Sequence, residues 1–162
     1  MHHLADRDRL KFEHFHNKDL IIAVGGDGTF LRVAQFVKDE ILFGVNADVK
    51  SKEGVFMEGN KKNFENKLKK ILNDEFEIKK YPRLEAYINR KKIDALALNE
   101  FYIGAKKGYH AAKYIIKVNN YEERHKSSGI LVATPAGSYA WASACVNKKI
   151  SLRSETMLFV AR

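Results

Sequence analysis

The sequence predicts an α/β half followed by a β-rich half, and three features carry that prediction. A short apolar run, a glycine turn and a helical repeat follow one another without spacers over residues 20–37. A second apolar run, ILFGVN at 41–46, comes next. From about residue 76 onward, apolar residues alternate with polar ones, which is the period of strands.

The first run, residues 20–24, is continuous and apolar, as a buried parallel strand requires. Gly25-Gly26-Asp27-Gly28-Thr29 follows at once. Phe30, Leu31, Val33, Ala34 and Val37 then recur at helical spacing. Three glycines in four positions allow positive φ and a close approach of main chain to a ligand. A helix start offers unpaired N–H groups and a positive dipole end, both suited to phosphate. Asp27 is the acid of this turn, and an acid beside a phosphate needs a reason: it binds a metal, accepts a proton or caps the helix. The turn is neither a P-loop, since no Gly-Lys-Ser/Thr follows, nor a dinucleotide fingerprint, whose glycine spacing differs.

With 41–46 as a second strand the unit is β-α-β, with parallel strands and a right-handed crossover. Ligands of such sheets lie beyond the carboxyl ends of the strands. That puts residues 25–29 and Asn46-Ala47-Asp48 on one rim. Residues 48–59 read as a loop and residues 63–72 as an amphipathic helix, with Phe64, Leu68, Ile71 and Leu72 on one face. Residues 5–16 read as a helix, with Leu10, Phe12 and Phe15 as its apolar positions.

In the β-rich half, Phe76 and Ile78, then Leu84, Ala86 and Ile88, alternate as in strands. Residues 89–92 form a hairpin turn and 93–103 a return strand. Residues 114–118 and 130–133 are further strands, with Asn119-Asn120 as a turn after the first. Pro135 and Gly137 break the chain, 139–146 reads as helical, and 156–160 as a last strand. The domains are expected at 1–76 and 77–162.

Composition narrows the functional classes. The 162 residues are 45% hydrophobic, enough for a core. Nothing resembles a signal peptide, and no apolar run approaches the ~20 residues of a membrane helix. The single cysteine, Cys145, excludes an internal disulfide framework and fits a reducing compartment, the cytoplasm or, in a eukaryote, the mitochondrial matrix. His14, His16 and His110 lack metal-ligand spacing, so no zinc site is expected, and the metal ligands of the site are left unassigned. Met1-His2-His3 is given no function. The net charge of +9 would suit nucleic acid, anionic lipid or phosphorylated small molecules. Its lysines, however, are scattered in pairs such as Lys61-Lys62 and Lys148-Lys149, not clustered in a stripe. No nucleic-acid or membrane partner is expected.

Two further stretches carry chemistry. Asn99-Glu100 interrupts the apolar strand ALALNEFYIG. Successive strand residues face opposite ways, so one of the two faces inward, where an unpaired carboxylate is costly. An amide beside a carboxylate can hold a ligand hydroxyl and amine; the other reading is a solvated strand end. Ser127-Ser128-Gly129, then Thr134 to Trp141, is a strand followed by a hydroxyl-rich Pro-Gly turn and a helix start. Trp141, the single tryptophan, is a candidate wall for a flat ring, or else core.

In order, GGDGT (25–29), GVN (44–46), ALNE (97–100) and KSSG with ATPAGSYAW (126–141) resemble the NAD kinases over nearly the whole chain. GGDGT alone is shared with diacylglycerol-type lipid kinases and phosphofructokinases. Lipid kinases usually carry Asn-Glu-Val in the next helix, which here reads FLRVAQF. The resemblance implies a Rossmann-like first domain, a β-sandwich-type second domain, and transfer of a phosphoryl group from ATP or polyphosphate to the 2′-hydroxyl of the adenosine ribose of NAD, with Mg²⁺. It implies that Asp27 accepts the hydroxyl proton and that Gly25, Gly26, Gly28 and Thr29 cradle the donor phosphates, Asp27 and Gly28 also touching NAD. It further implies that Asn99 and Glu100 hold the adenylate part of NAD and that His110 contacts the ligand. Lys126 and Ser128 would lie near the nicotinamide side, with Tyr139, Ala140, Trp141, Ser143 and Ala144 lining the adenine and ribose pocket. A homodimer or higher oligomer is implied as well. The alternatives are a non-catalytic nucleotide-binding relative and a lipid kinase of the same superfamily.

The chain departs from the family pattern in places. Ser128-Gly129 stands where Asp-Gly is usual, and Ala136, Tyr139 and Trp141 alter the usual Thr-Pro-Thr-Gly-Ser-Thr-Ala-Tyr. Ser-Gly and Ala-Trp at these places resemble the mitochondrial-type branch. Residues 48–56 replace the usual GxLGFL loop. Family members carry an earlier strand and further strands after about residue 147, so an incomplete chain is expected.

Overall fold

The structure, a computed structural model, describes residues 4–49 and 54–162. It divides into two compact units, residues 1–79 and 80–162.

In the first unit, β1 (Leu20–Gly25) runs into α1 (Asp27–Ala34), which returns the chain to β2 (Ile41–Asn46). The two strands are parallel and in unbroken register from Leu20 opposite Ile41 to Gly25 opposite Asn46. Parallel neighbours need such a crossover, and α1 buries Phe30, Val33 and Ala34. A third strand, β3 (Met57–Asn60), lies parallel to β2 on its other edge, with a register shift between Gly44 and Val45. From sequence, residues 48–59 read as a loop. MEGN has no apolar alternation to announce a strand, and it is the open edge of β2 that makes it one. Residues 50–53 of that stretch lie outside the described residues, as do Met1-His2-His3.

Gly44 marks a close approach of backbone and rings in this core. A Cβ on it would stand 2.7 Å from the Phe56 carbonyl oxygen and 2.9 Å from the Phe30 ring. Those two rings stack at 5.0 Å with 4° between their planes. Helix α2 (Phe64–Leu72) brings Phe64 over Phe43 at 6.3 Å. Residues 5–16 are not one helix but two 3-10 turns, Arg7–Arg9 and Phe12–His14. Their apolar spacing does not sustain a 3.6-residue repeat, and Phe12 and Phe15 instead pack on Phe36 at 5.0 and 5.2 Å. Residues 75–83, with Phe76 and Ile78, carry no regular structure, against the strand expected there.

The second unit holds two hairpins and a three-stranded sheet. β4 (Leu84–Ile88) and β5 (Lys91–Ala97) pair antiparallel across Asn89-Arg90. Both turn residues have positive φ, 50° and 64°, the pair that a type I′ turn demands. β6 (Glu100–Gly104) is followed by the hairpin of β7 (Ala112–Val118) and β8 (Tyr121–Ser127), and then by β9 (Gly129–Ala133). β10 (Leu158–Ala161) completes an antiparallel sheet in the order β10-β9-β6. The single strand expected over 93–103 is therefore two strands in different sheets. The chain breaks at Leu98-Asn99, whose carbonyls go to Thr134 instead of a strand partner.

Residues 139–146 are not helical as expected. Two 3-10 turns, Gly137–Tyr139 and Trp141–Ala144, stand there. Ala140, at φ −102° and ψ −130°, separates them. The hydroxyls of Ser138 and Ser143 donate back to the carbonyls three residues earlier, Pro135 and Ala140, each at 2.6 Å. Such back-bonding competes with a regular helix.

Candidate functional site

In the first unit the candidate residues gather where β1 gives way to α1. Gly26 is the N-cap and Asp27 the first helical residue, so Asp27 does not cap the helix. Its carboxylate reaches instead to residues 55–56. Val55 N–H donates to Oδ2 at 2.9 Å and Phe56 N–H to Oδ1 at 3.2 Å. Each oxygen keeps a further lone-pair direction, so the carboxylate is oriented but not consumed.

The glycines serve closeness and not positive φ, since no described glycine has positive φ. A Cβ on Gly25 would stand 2.5 Å from Thr29 Oγ1. A Cβ on Gly28 would meet nothing within 4 Å. Gly28 is therefore where the turn opens, and the N–H groups of Asp27 and Gly28 at the helix start have no intrahelical acceptor. Asn46 stands opposite Gly25 in the sheet, and Ala47 N–H donates to the Gly25 carbonyl at 2.9 Å. Asn46 is buried and its Oδ1 accepts from Asp48 N–H at 2.9 Å. The glycine turn and residues 46–48 thus share a rim, as the β-α-β reading required.

The second unit gathers a different set. Glu100 pairs with Ala133 across β6 and β9, and Asn99 precedes it at the strand break. Asn99 Oδ1 and Glu100 Oε2 are buried without a hydrogen-bond partner among the described residues. Burial alone pushes the Glu100 carboxyl above the ordinary carboxylate range. Two adjacent acceptors without donors are costly, and a ligand's hydroxyl or amine would relieve both.

Trp141 stands in a second grouping. The Arg162 guanidinium lies over its ring at 4.6 Å and the Tyr102 ring sits 5.2 Å away. Tyr102 Oη–H donates to the Ser128 carbonyl at 2.8 Å, and Ser128 N–H donates to the Arg162 carbonyl at 2.6 Å. So Ser128 and Trp141 are brought together through Tyr102 and Arg162, two residues the sequence reading passed over. Trp141 is half-exposed, with one ring face taken by a cation. Tyr139 instead carries Lys149 Nζ over its ring at 5.3 Å. Lys126, Ser143 and Ala144 are exposed, and Ala140 is partly buried. His110 lies in the exposed segment between β6 and β7, edge-on to Tyr109 at 4.6 Å, with no described contact to Asn99 or Glu100. Among the described residues no group of three or more His, Cys, Asp or Glu could by itself hold a metal ion. No described helix is long and apolar enough to cross a membrane.

Comparison with known proteins accounts for this set of motifs. Residues 5–76 match the ATP-NAD kinase N-terminal domain. An NAD kinase of Archaeoglobus fulgidus is 34% identical over 132 residues, covering 80% of this chain and 50% of that protein. One of Picrophilus torridus is 35% identical over 127 residues, covering 78% and 45%. The chain is similar to the NAD kinases, its first half by that domain and about four fifths of it by these relatives. The crystal structure of the Archaeoglobus fulgidus NAD kinase in complex with ATP superposes with a TM-score of 0.79 at 30% identity, over 93% of this chain and 58% of that one. Yeast NADH kinase complexed with NADH has the same fold, with a TM-score of 0.78 at 18% identity over 89% and 44%. The α/β first half and β-rich second half are thus those of NAD kinase structures. The chain spans about half the length of the curated NAD kinases it matches.

Proposed function

We propose that this chain carries an NAD kinase activity, transferring the terminal phosphoryl group of ATP or polyphosphate to the 2′-hydroxyl of the adenosine ribose of NAD. The observation that carries this reading is the state of Asp27. Its carboxylate stands on the first turn after the glycine turn, each oxygen aimed by one main-chain N–H. Likeness to the NAD kinases supports it, as does the ATP complex of the similar Archaeoglobus fulgidus enzyme.

Asp27 takes the proton of the attacking hydroxyl. A bond forms from the 2′-oxygen to the terminal phosphorus, the bond from that phosphorus to its bridging oxygen breaks, and ADP or a shortened polyphosphate leaves. Gly25, Gly26, Gly28 and Thr29 receive the donor phosphates, where the opening at Gly28 and the helix-start N–H groups lower the cost of negative charge. Mg²⁺ in such transfers sits on substrate phosphates with one or two carboxylates, so a protein cage of ligands is not required. Among the described residues no group of three or more His, Cys, Asp or Glu offers such a cage, so the substrate phosphates would be the main ligands of the ion. When bound it neutralises charge on the transferring phosphates.

Residues 1–76 form the nucleotide-binding domain in this reading, and 77–162 the NAD-binding domain. There Asn99 and Glu100 hold the adenylate part, with their orphaned acceptors taking its donors. Tyr139, Ala140, Trp141, Ser143 and Ala144 line the adenine and ribose side, Lys126 and Ser128 the nicotinamide side, and His110 adds a contact. The protein works in a reducing compartment, which suits the free Cys145, and assembles with further copies of itself, which sedimentation would show. The test of the activity is product analysis after incubation with ATP, Mg²⁺ and either NAD or a diacylglycerol. NADP is the expected product; phosphorylated lipid without NADP would transfer the chain to the lipid kinases, and binding of NAD without turnover to a non-catalytic relative.

A further inference from the structure

Two consecutive carbonyls at the break between β5 and β6 are held by one residue. Thr134 Oγ1–H donates to the Leu98 carbonyl at 2.6 Å, and Thr134 N–H donates to the Asn99 carbonyl at 2.8 Å. The same Oγ1 accepts from Gly137 N–H at 3.0 Å. Thr134 is 1% exposed, so none of these groups can exchange its partner for bulk water. Gly137 makes the arrangement possible. A Cβ there would stand 2.2 Å from the Asn99 carbonyl oxygen, so any other residue would push Asn99 away. The turn is tied from its far side as well, since Ser138 Oγ accepts from Ile150 N–H at 2.9 Å.

The second of these bonds ends on Asn99 itself, whose Oδ1 is one of the two orphaned acceptors, and Glu100, which carries the other, follows it. A buried side-chain oxygen without a donor would ordinarily be relieved by a small shift of its backbone towards one. Here the backbone at 98–99 is fixed from above by a hydroxyl and an amide, and Glu100 is fixed by its pairing with Ala133. We propose that Thr134 is a positioning residue that holds the Asn99-Glu100 pair with its acceptors presented to the adenylate part of NAD, the missing side chain of Gly137 providing the room. This rests on the proposed reading that the pair binds that part of NAD.

A purely structural role would make the same hydrogen bonds, so the test must separate the two. Calorimetric titration of the protein with NAD, well below each variant's melting temperature, compares wild type, Thr134→Val, Thr134→Ser, the double variant Asn99→Ala/Glu100→Ala, and that double variant carrying Thr134→Val. Thr134→Val should weaken NAD binding by about ten- to a hundredfold, the scale on which a small misplacement acts. Thr134→Ser, which keeps the hydroxyl, should restore it. In the background lacking the Asn99 and Glu100 side chains, Thr134→Val should cost less than about twofold more, because residues acting through one another do not add. Losses that add in full, or a Thr134→Val protein binding as wild type while the double variant does not, would overturn the positioning role and leave the binding pair intact. Wild-type binding by the double variant would overturn the pair and this proposal with it. If Thr134→Val does not fold, hydrogen exchange of the wild type reads the same claim: the Gly137 N–H should exchange more slowly with NAD bound, and unchanged exchange would sink it.

Discussion

Asp27 and Glu100 are the two acids on which the proposed chemistry turns, and the molecule treats them in opposite ways. Asp27 has a main-chain donor at each oxygen, supplied by residues 55–56. Glu100 has a buried oxygen with no donor among the described residues, and burial raises its pKa. A carboxylate already oriented by its own main chain is set up to act on something else. One left short of donors is set up to be completed by a ligand. The first arrangement spends reorganisation energy at folding, so little remains at the moment of reaction. The second stores a cost that binding relieves.

The strongest way to break this contrast is Asp27→Asn. NADP formation should fall roughly 10²–10⁴-fold, the usual contribution of a positioned general base, while NAD binding by calorimetry persists. The amide also sets an N–H against Val55 or Phe56 N–H, so a drop in stability of about 1–3 kcal/mol should accompany it in urea titrations. Turnover equal to wild type would remove Asp27 from the role of base.

A smaller effect is expected from the groups that aim Asp27. Val55→Pro deletes the N–H that Oδ2 accepts, whereas Val55→Ala keeps it. The proline variant should lose about tenfold in kcat with KM for NAD little changed, and the alanine variant should stay near wild type, because a mis-aimed base weakens the transition state and not the ground state. Equal behaviour of the two variants would mean that the tether at residue 55 does not matter.

The two regions also differ in how much of their structure the sequence discloses. β1, α1 and β2 are legible because a continuous apolar run and a 3.6-residue repeat are local signals, and ILFGVN forms a strand with the bounds it was given. β3 is not, because MEGN becomes a strand only through the edge of β2. In the second unit the alternation over 93–103 conceals a break that hydrogen bonds from Thr134, more than thirty residues away, impose. The stretch 139–146 fails as a helix because Ala140 leaves helical dihedrals and the Ser143 hydroxyl reaches back to the Ala140 carbonyl, a competition that apolar spacing does not register. Asp27, Asn99 and Glu100 stood out as polar residues in apolar or glycine-rich surroundings. The amides of Val55 and Phe56 could not, since a main-chain donor has no sequence signature. Gly137 was visible as half of a Pro-Gly turn, but nothing in that turn announces that it and Thr134 meet the carbonyls at 98–99.

The pH dependence of stability sharpens the contrast from the side of Glu100. Its folded pKa lies above the ordinary value of 4.5 because of burial. Between those two values the folded protein binds more protons than the unfolded chain, so stability falls as pH rises through that window and then levels off. Glu100→Gln removes this titration. Its melting temperature should therefore exceed that of wild type most at neutral pH, with the gap closing below about pH 4.5. Added NAD should shrink the gap at neutral pH by supplying donors to the wild-type carboxylate. A gap that does not change between pH 4 and pH 8 would show that Glu100 is solvated.

The smallest effect belongs to an acid of the first unit that is satisfied at the surface. Glu58 on β3 is held below its ordinary pKa first by a hydrogen bond from Lys79, and then by the charges of Lys79 and Lys67. The sign is opposite to that of Glu100: the stabilisation is in full force above pH 4.5 and is lost as pH falls through the lowered folded value. The pair is about half exposed, so water and salt screen it, and Glu58→Gln should cost no more than about 1 kcal/mol at neutral pH. That cost should shrink further in high salt, whereas the Glu100→Gln gain, arising from burial, should hardly respond to it. Equal salt sensitivity in the two variants would show that Glu100 is no better shielded from solvent than Glu58.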